Sequence, residues 1–415
     1  MNPPSSFPSG RDPIAGSPRS WAAVAFLLLA GGGIRLYRLR EITLFSQDDC
    51  GFSLADLYPL TMYQAASLKQ AALSLVNIAS FKYGYAKILY AHPWVLVYHT
   101  FQIPLNEFTM ILPYLALGTA AILLVFLLAR KVLERAAALA GTTLYASAPL
   151  FIGESRATGG TWLVSHVLLL LTWYTLWRWR EAPSRQRGLV FSLALGGYLV
   201  SDLQFVLLFP ALVWVTCAGR GLPAEKEAAL RFGWFFRRWE TYLFPTLLML
   251  PTVLAYAFQV WTWGEWITWR NYLGYLFFKP KVWGWHYGHF LETLARVTGW
   301  PLVVFFHLVV GAGIWRSRVD VPVRIVTGLV LLYLLPWIFL GAPGFTEERV
   351  YFSHGLAWLL LLSGWLVFQL REKLGRAAWG VLLILLLLHG EHARKMLFCV
   401  EETGDGQLRF YGSVT

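Results

Sequence analysis

The chain has 415 residues, 57% of them apolar, 16% aromatic and 14% charged, with a formal net charge of +12. Such a composition excludes an ordinary soluble domain, in which about a quarter of the residues are charged. The basic residues are scattered between apolar runs rather than gathered on one polar face, which argues against a nucleic-acid surface and for an integral membrane protein.

Residues 1–20, rich in Pro, Ser and Gly, are expected to be a disordered cytoplasmic N-terminus. They carry Arg11 and Arg19 but no small-residue cleavage site, so the first apolar run reads as an uncleaved anchor. A helix crosses a bilayer with roughly 20 apolar residues. Windows of that kind predict about eleven spans, at residues 21–36, 109–129, 136–152, 161–177, 188–201, 203–217, 241–261, 298–315, 323–341, 350–370 and 377–389. The expected fold is therefore all-α, a polytopic transmembrane helical bundle forming one domain over residues 21–389.

Orientation follows from the basic turns. Arg130, Lys131 and Arg135; Arg178, Arg180, Arg185 and Arg187; Arg316, Arg318 and Arg324; and Arg371, Lys373 and Arg376 all fall in short connections, which the positive-inside rule assigns to the cytoplasm. Keeping the Arg220–Arg238 segment on that side requires two short spans meeting at Ser201-Asp202 rather than one long one. The same hairpin puts Asp202 at a wet outer turn and avoids the roughly 2.5–3.5 kcal/mol expected for Asp at a helix centre. Residues 390–415 then form an extracytoplasmic tail.

Two outer connections are longer than helix packing needs. The first, residues 37–108, runs to about seventy residues, a length that usually carries function. Within it, Leu68, Ala72, Leu75, Val76 and Ala79 follow helical spacing with Gln70, Ser74 and Asn77 opposite, which predicts a helix on the membrane surface. The second, residues 262–297, interleaves Trp263, Trp266, Trp269, Tyr272, Tyr275, Trp283, Trp285 and Tyr287 with Lys279, Lys281, His286 and His289. This is either an aromatic belt at headgroup depth or a lid over an amphiphilic ligand. Cys50 and Cys399 both fall on the outer side and could pair, but three cysteines make no framework. No metal-ligand spacing is present, and no cofactor is expected.

The first outer connection opens with IRLYRLREITLFSQDDCGFSLADLY, residues 34–58, which places the acidic pair Asp48-Asp49 shortly after the first span. AHPWVLVYH follows at 91–99, APLFIGESRATGG at 148–160, and EERVYFSHGLAWLLLLSG from Glu347. In that order these stretches resemble the GT-C glycosyltransferases, in particular the branch of protein O-mannosyltransferases and the aminoarabinose transferase of lipid A. Departures are the second acid, Asp in place of Glu, and Trp94 in place of a second Pro. The resemblance implies a plasma-membrane enzyme moving a sugar from a polyprenyl-phosphate carrier to an acceptor hydroxyl on a protein, lipid or glycan, with no nucleic-acid partner.

Inverting displacement needs one base and no covalent intermediate. Asp48 is the candidate base, with Asp49 orienting it or the acceptor; Ser46 or Asp49 could instead cap a helix beginning near Phe52. The leaving phosphate calls for a cationic fork. Arg156 and Arg349 are the first candidates, although each could snorkel or pair with Glu154 or Glu348, and Lys279 and Lys281 come next. His92, Glu154, His286 and Tyr351 are expected to bind substrate, with His92 at a turn or helix start and His99 ending the surface helix. Two other readings share these features: a non-enzymatic flippase for the lipid-linked sugar, with the acids as a coupling site, and a surface polysaccharide polymerase or ligase. Coupling acids usually lie near the bilayer midplane within internal repeats, and here the acids lie in a loop and no repeat is visible.

Overall fold

The computed structural model describes residues 18–37, 67, 70, 86–156, 161–201, 205–218, 237–263, 284–340, 352–395, 400–402 and 408–410. Among these residues the architecture is helical throughout, apart from one antiparallel strand pair in the tail, Val400–Glu402 with Leu408–Phe410. In chain order the helices are α1 (Pro18–Leu36), α2 (Ala86–Thr100), α3 (Glu107–Val132), α4 (Arg135–Ser147), α5 (Pro149–Arg156), α6 (Thr161–Glu181), α7 (Arg185–Leu199), α8 (Phe205–Ala218), α9 (Glu240–Trp263), α10 (Tyr287–Thr298), α11 (Trp300–Arg316), α12 (Val321–Leu340), α13 (Ser353–Leu374) and α14 (Ala377–Ala393). By length and composition, three of the described helices can cross a membrane alone, over Phe108–Val132, Val321–Phe339 and Ser353–Leu374; counting each of two bent pairs as one span raises this to five. The surface helix expected around residues 68–79, Cys50 and Cys399 lie outside the described residues.

Helix α13 is the axis of the bundle. Every residue from Ser353 to Trp365 is buried, as suits a helix that is apolar on all sides and surrounded by other helices. It lies against α4 at backbone distance: a Cβ on Gly141 would stand 2.8 Å from Leu361 Cα, and one on Gly364 would collide with the Gly141 backbone. Small residues at facing positions are how apolar helices gain close packing where lipid offers no hydrophobic contrast.

Two expected spans break. The predicted span 136–152 is two helices, α4 and α5, meeting at 53° around Ala148. Pro149 has no N–H to give the Tyr145 carbonyl, so the ladder stops and restarts with Pro at the first position of a new helix. The predicted span 298–315 becomes α11 from Trp300, but the end of the supposed loop 262–297, with Thr298, forms α10, which meets α11 at 113°. Gly299, at φ +90°, makes that corner. The buried face of α10 is Phe290, Thr293, Leu294, Val297 and Thr298, with Gly288 and Arg296 exposed, the pattern of a helix lying along a membrane surface. Between residues 199 and 205 the chain is interrupted into α7 and α8, at the place where the charge rule requires two short helices.

His92 is a further correction. It lies in the middle of α2, directly before Pro93, rather than at a turn or helix start, and His99 occupies the last turn of that helix. Two tyrosines tie α2 to α3. Pro113 leaves the Thr109 carbonyl without its i+4 donor, and the Tyr98 hydroxyl donates to it at 2.8 Å. The Tyr90 hydroxyl donates to the Pro113 carbonyl, also at 2.8 Å. A reciprocal capping box between Asn106 and Thr109 starts α3.

The basic turns group at helix ends. Lys131 in the last turn of α3 pairs with Glu181 at the end of α6 at 2.6 Å. Arg187 donates to the Arg178 and Ala182 carbonyls, and Arg324 donates to Ser317, Arg318 and Ala218 carbonyls, so each satisfies C-terminal acceptors that a helix leaves open. A shallow groove brings Ala136 of α4, Arg371 of α13 and Ala378 of α14 together at the same end.

Replacing Gly364 by Val forces α13 away from α4 and is expected to lower stability by about 1–3 kcal/mol, the usual size of an overpacking defect. Tyr98→Phe, which strands one helix carbonyl, should cost about 1 kcal/mol. Thermal unfolding of the purified protein in a fixed detergent checks both.

Candidate active site

The ends of the helices opposite the basic turns hold a buried polar cluster, beginning with two arginines. Arg35, in the last turn of α1, is fully buried and donates from Nη1 to the carbonyls of Gly31 (3.0 Å) and Ala146 (3.3 Å), and from Nη2 to Phe151 (3.5 Å). Ala146 lies in the last turn of α4, where carbonyls lack partners within the helix, so the α4–α5 break creates an acceptor that the guanidinium fills. Arg156 ends α5 and is fully buried as well. Its Nη1 donates to the carbonyls of Arg35 (3.0 Å) and Tyr37 (2.6 Å), capping α1. Arg35 thus sits at the negative end of α4 and Arg156 at that of α1, which offsets part of the desolvation cost of each. Ser155 adds two bonds, from Oγ to the Phe151 and Ile152 carbonyls at 2.9 and 2.8 Å. On α3, Gly118 leaves room for Ser155 and Arg35, since a Cβ there would meet both.

Next to Arg35 lies a stack of rings. Tyr145 packs on Phe151 with centroids 4.2 Å apart, and Tyr145 Oη and His166 Nε2 form a hydrogen bond of 3.2 Å. His166 stacks on Phe151 at 4.9 Å and on His354 at 5.6 Å. Tyr198 and Tyr333 flank His354 at 5.8 and 5.9 Å, and Ser353 Oγ lies 3.2 Å from His354 Nδ1. All these side chains are buried. His166 is in the second turn of α6 and His354 in the first turn of α13, so the stack also shows that the positive ends of these two long helices lie side by side. Converging N-termini favour an anion.

Beside the cluster, α10 packs against α5. The Gly284 and His286 backbone N–H groups donate to the Phe339 (3.0 Å) and Ile338 (2.8 Å) carbonyls in the last turn of α12. Trp285, largely exposed, stacks on Tyr287 at 5.8 Å and meets Phe339 edge-on at 5.6 Å. The Tyr287 hydroxyl reaches His307 Nε2 at 2.6 Å; because His307 Nδ1 lies 2.7 Å from the Val303 carbonyl and must donate there, Tyr287 is the donor. His392 Nε2 donates to the Arg296 carbonyl at 2.7 Å, closing α14 over the α10–α11 corner.

Of the residues expected to form the site, Arg156 and Glu154 share α5, with Arg156 bonded to backbone carbonyls and Glu154 half-buried. His286 stands just before α10, the neighbour of α5, half-buried and with no hydrogen-bond partner for Nε2 among the described residues. His92 is placed only by the backbone of α2. Asp48, Asp49, Lys279, Lys281, Arg349 and Tyr351 lie outside the described residues. Arg35 and His354 lie inside the first and last motif stretches but are not among the expected site residues, and Tyr145 and His166 lie in none; an ionisable residue inside an apolar span is itself a signal of a site, and Arg35, His166 and His354 each satisfy it.

The fold has known counterparts. The archaeal oligosaccharyltransferase AglB of Archaeoglobus fulgidus, solved with an inhibitory peptide and a dolichol-phosphate, superposes with a TM-score of 0.59 at 14% identity over 90% of this chain and 55% of its own. ArnT of Cupriavidus metallidurans, solved with undecaprenyl phosphate, superposes with a TM-score of 0.56 at 14% identity over 89% of this chain and 63% of its own. This chain has the GT-C glycosyltransferase fold. Residues 91–230, which hold the second and third of the four motifs, also match the family described as dolichyl-phosphate-mannose-protein mannosyltransferase. No curated protein matches the chain. The GT-C fold is present here in little more than half the length of the archaeal oligosaccharyltransferase.

Within this helical bundle, Arg35→Met removes three charge-assisted bonds and takes from the Ala146 carbonyl the donor it has there. The expected loss is about 3 kcal/mol, with Arg35→Lys intermediate, because an ammonium cannot fork between α4 and α5. Chemical or thermal unfolding of both variants measures the order.

Proposed function

We propose that this protein is an integral membrane glycosyltransferase that moves a sugar from a polyprenyl-phosphate carrier to an acceptor hydroxyl at the extracytoplasmic surface, with inversion. The observation that carries the reading is the GT-C fold over about nine tenths of the chain, shared with two proteins solved with dolichol-phosphate and undecaprenyl phosphate. The mannosyltransferase-family match over residues 91–230 supports the same carrier chemistry. The basic turns support an extracytoplasmic site, since the arginine and histidine cluster is at the opposite helix ends. The plasma membrane is the proposed location.

In the proposed reaction Asp48 takes the proton from the acceptor hydroxyl, and Asp49 orients it. The acceptor oxygen forms its bond to the anomeric carbon as the bond from that carbon to the phosphate oxygen breaks, and the electron pair leaves on the carrier phosphate. Arg349, Lys279 and Lys281 are proposed to meet the developing phosphate charge, aided by the positive ends of α6 and α13. Arg156 is engaged with the end of α1, so we assign it the task of fixing where the chain leaves α1 toward Asp48. His92, Glu154, His286 and Tyr351 are proposed to line the sugar and acceptor side. The donor is a hexose or a pentose, and the acceptor a protein, lipid or glycan.

Protein reconstituted with a labelled polyprenyl-phosphate sugar and an extract of envelope acceptors should release polyprenyl phosphate. Asp48→Asn is expected to lower release by about 10²–10⁴-fold, the range for loss of a general base, at unchanged expression. Movement of intact labelled lipid across vesicles without cleavage would instead establish the flippase reading.

A further inference from the structure

The imidazoles of His166 and His354 have no part in the reaction as proposed, yet both are almost fully buried. Each is about 1% exposed. Burying an imidazole among apolar rings carries a desolvation cost that Phe or Leu of similar volume would avoid. His166 Nδ1 has no hydrogen-bond partner among the described residues, so packing alone does not account for a histidine there.

What the pair does is join elements that are far apart in sequence. His166 is bonded to Tyr145 at the end of α4 and stacked on Phe151 at the start of α5. Its other neighbour, His354, opens α13 and touches rings from α7 and α12. One further contact between α6 and α13 lies deeper, where Trp173 meets Trp358 edge-on at 6.2 Å. The stack continues into the arginine pair, because Phe151 also supplies the carbonyl that Arg35 Nη2 binds. A continuous run of contacts therefore leads from the first turn of α13, through α6 and the α4–α5 break, to the end of α1.

We infer that His166 and His354 are positioning residues: through the Tyr145–His166 hydrogen bond and the His166–His354 stack they fix the first turn of α13 against the α4–α5 break, holding both at the spacing the site requires. The inference rests on the functional reading above for the word site, but the mechanical link stands on geometry alone. The link has two parts: a hydrogen bond that needs the nitrogen and a stack that needs the ring.

Two measurements on the full-length protein in nanodiscs test it. The first is hydrogen–deuterium exchange in the absence of any ligand. His166→Phe, which keeps the ring and loses the hydrogen bond, should raise exchange in peptides covering 149–156, and His166→Ala, which loses the stack as well, should raise it in 149–156 and 353–358 while leaving α3 and α12 unchanged. Unchanged exchange at 353–358 in His166→Ala, or a uniform rise along the chain, overturns the inference. The second is binding of undecaprenyl phosphate. His166→Phe and Tyr145→Phe should each weaken it by about 2- to 10-fold, the size of one buried hydrogen bond, and the double variant should be no weaker than the worse single, since both remove the same bond. Additive losses overturn the inference. A parent protein that fails to bind undecaprenyl phosphate counts against the functional reading, and the exchange result then decides the inference by itself.

Discussion

Two guanidinium groups that tie the end of α1 to the α4–α5 break are the constraint on which the rest of this end of the molecule depends. Arg35 belongs to α1 and bonds the carbonyls around the α4–α5 break; Arg156 belongs to α5 and bonds the carbonyls that end α1. Helix C-termini present partial negative charge, which favours a cation bonded to their carbonyls. The arrangement depends on the break. An unbroken helix over residues 135–156 would leave no open carbonyl at Ala146 for Arg35 and would carry Arg156 along a different line.

The break in turn follows from one residue type at one place. Pro149 cannot continue the ladder, and its neighbours Tyr145 and Phe151 put aromatic faces where the histidine stack builds. Sequence, local structure and site are linked here in three steps: a missing N–H bends the span, the bend exposes carbonyls and rings, and these hold the cations and imidazoles. At the other corner, Gly299 lets α10 turn across the end of the bundle, so that Trp285 and Tyr287 stand beside the last turn of α12. Aromatic rings at that position suit headgroup depth whether or not they also touch a ligand.

Hydropathy and the charge rule made most of the helices legible, down to the interruption between α7 and α8, because both are sums over many residues. The four motifs pointed to the fold that the solved structures share. What periodicity could not supply was shape set by single residues. Windows of apolar residues merge α4 with α5 and hide α10, since a window does not register a proline's missing donor or a glycine's positive φ. His92 reads as a helix start because Pro follows it, and the tertiary bonds from Tyr90 and Tyr98 to α3 hold a helix through that proline instead. The buried cluster escaped for a different reason: Arg35, His166 and His354 are separated by more than a hundred residues each, and nothing local announces that they converge.

The bond from Tyr98 to the Thr109 carbonyl has a mechanical implication. A proline inside a helix leaves an acceptor for whichever donor arrives first, and in lipid, where water cannot stand in, that acceptor acts as a socket. Because Tyr98 and Tyr90 of α2 bond the Thr109 and Pro113 carbonyls of α3, the two helices are coupled at the proline, and displacing one draws on the other.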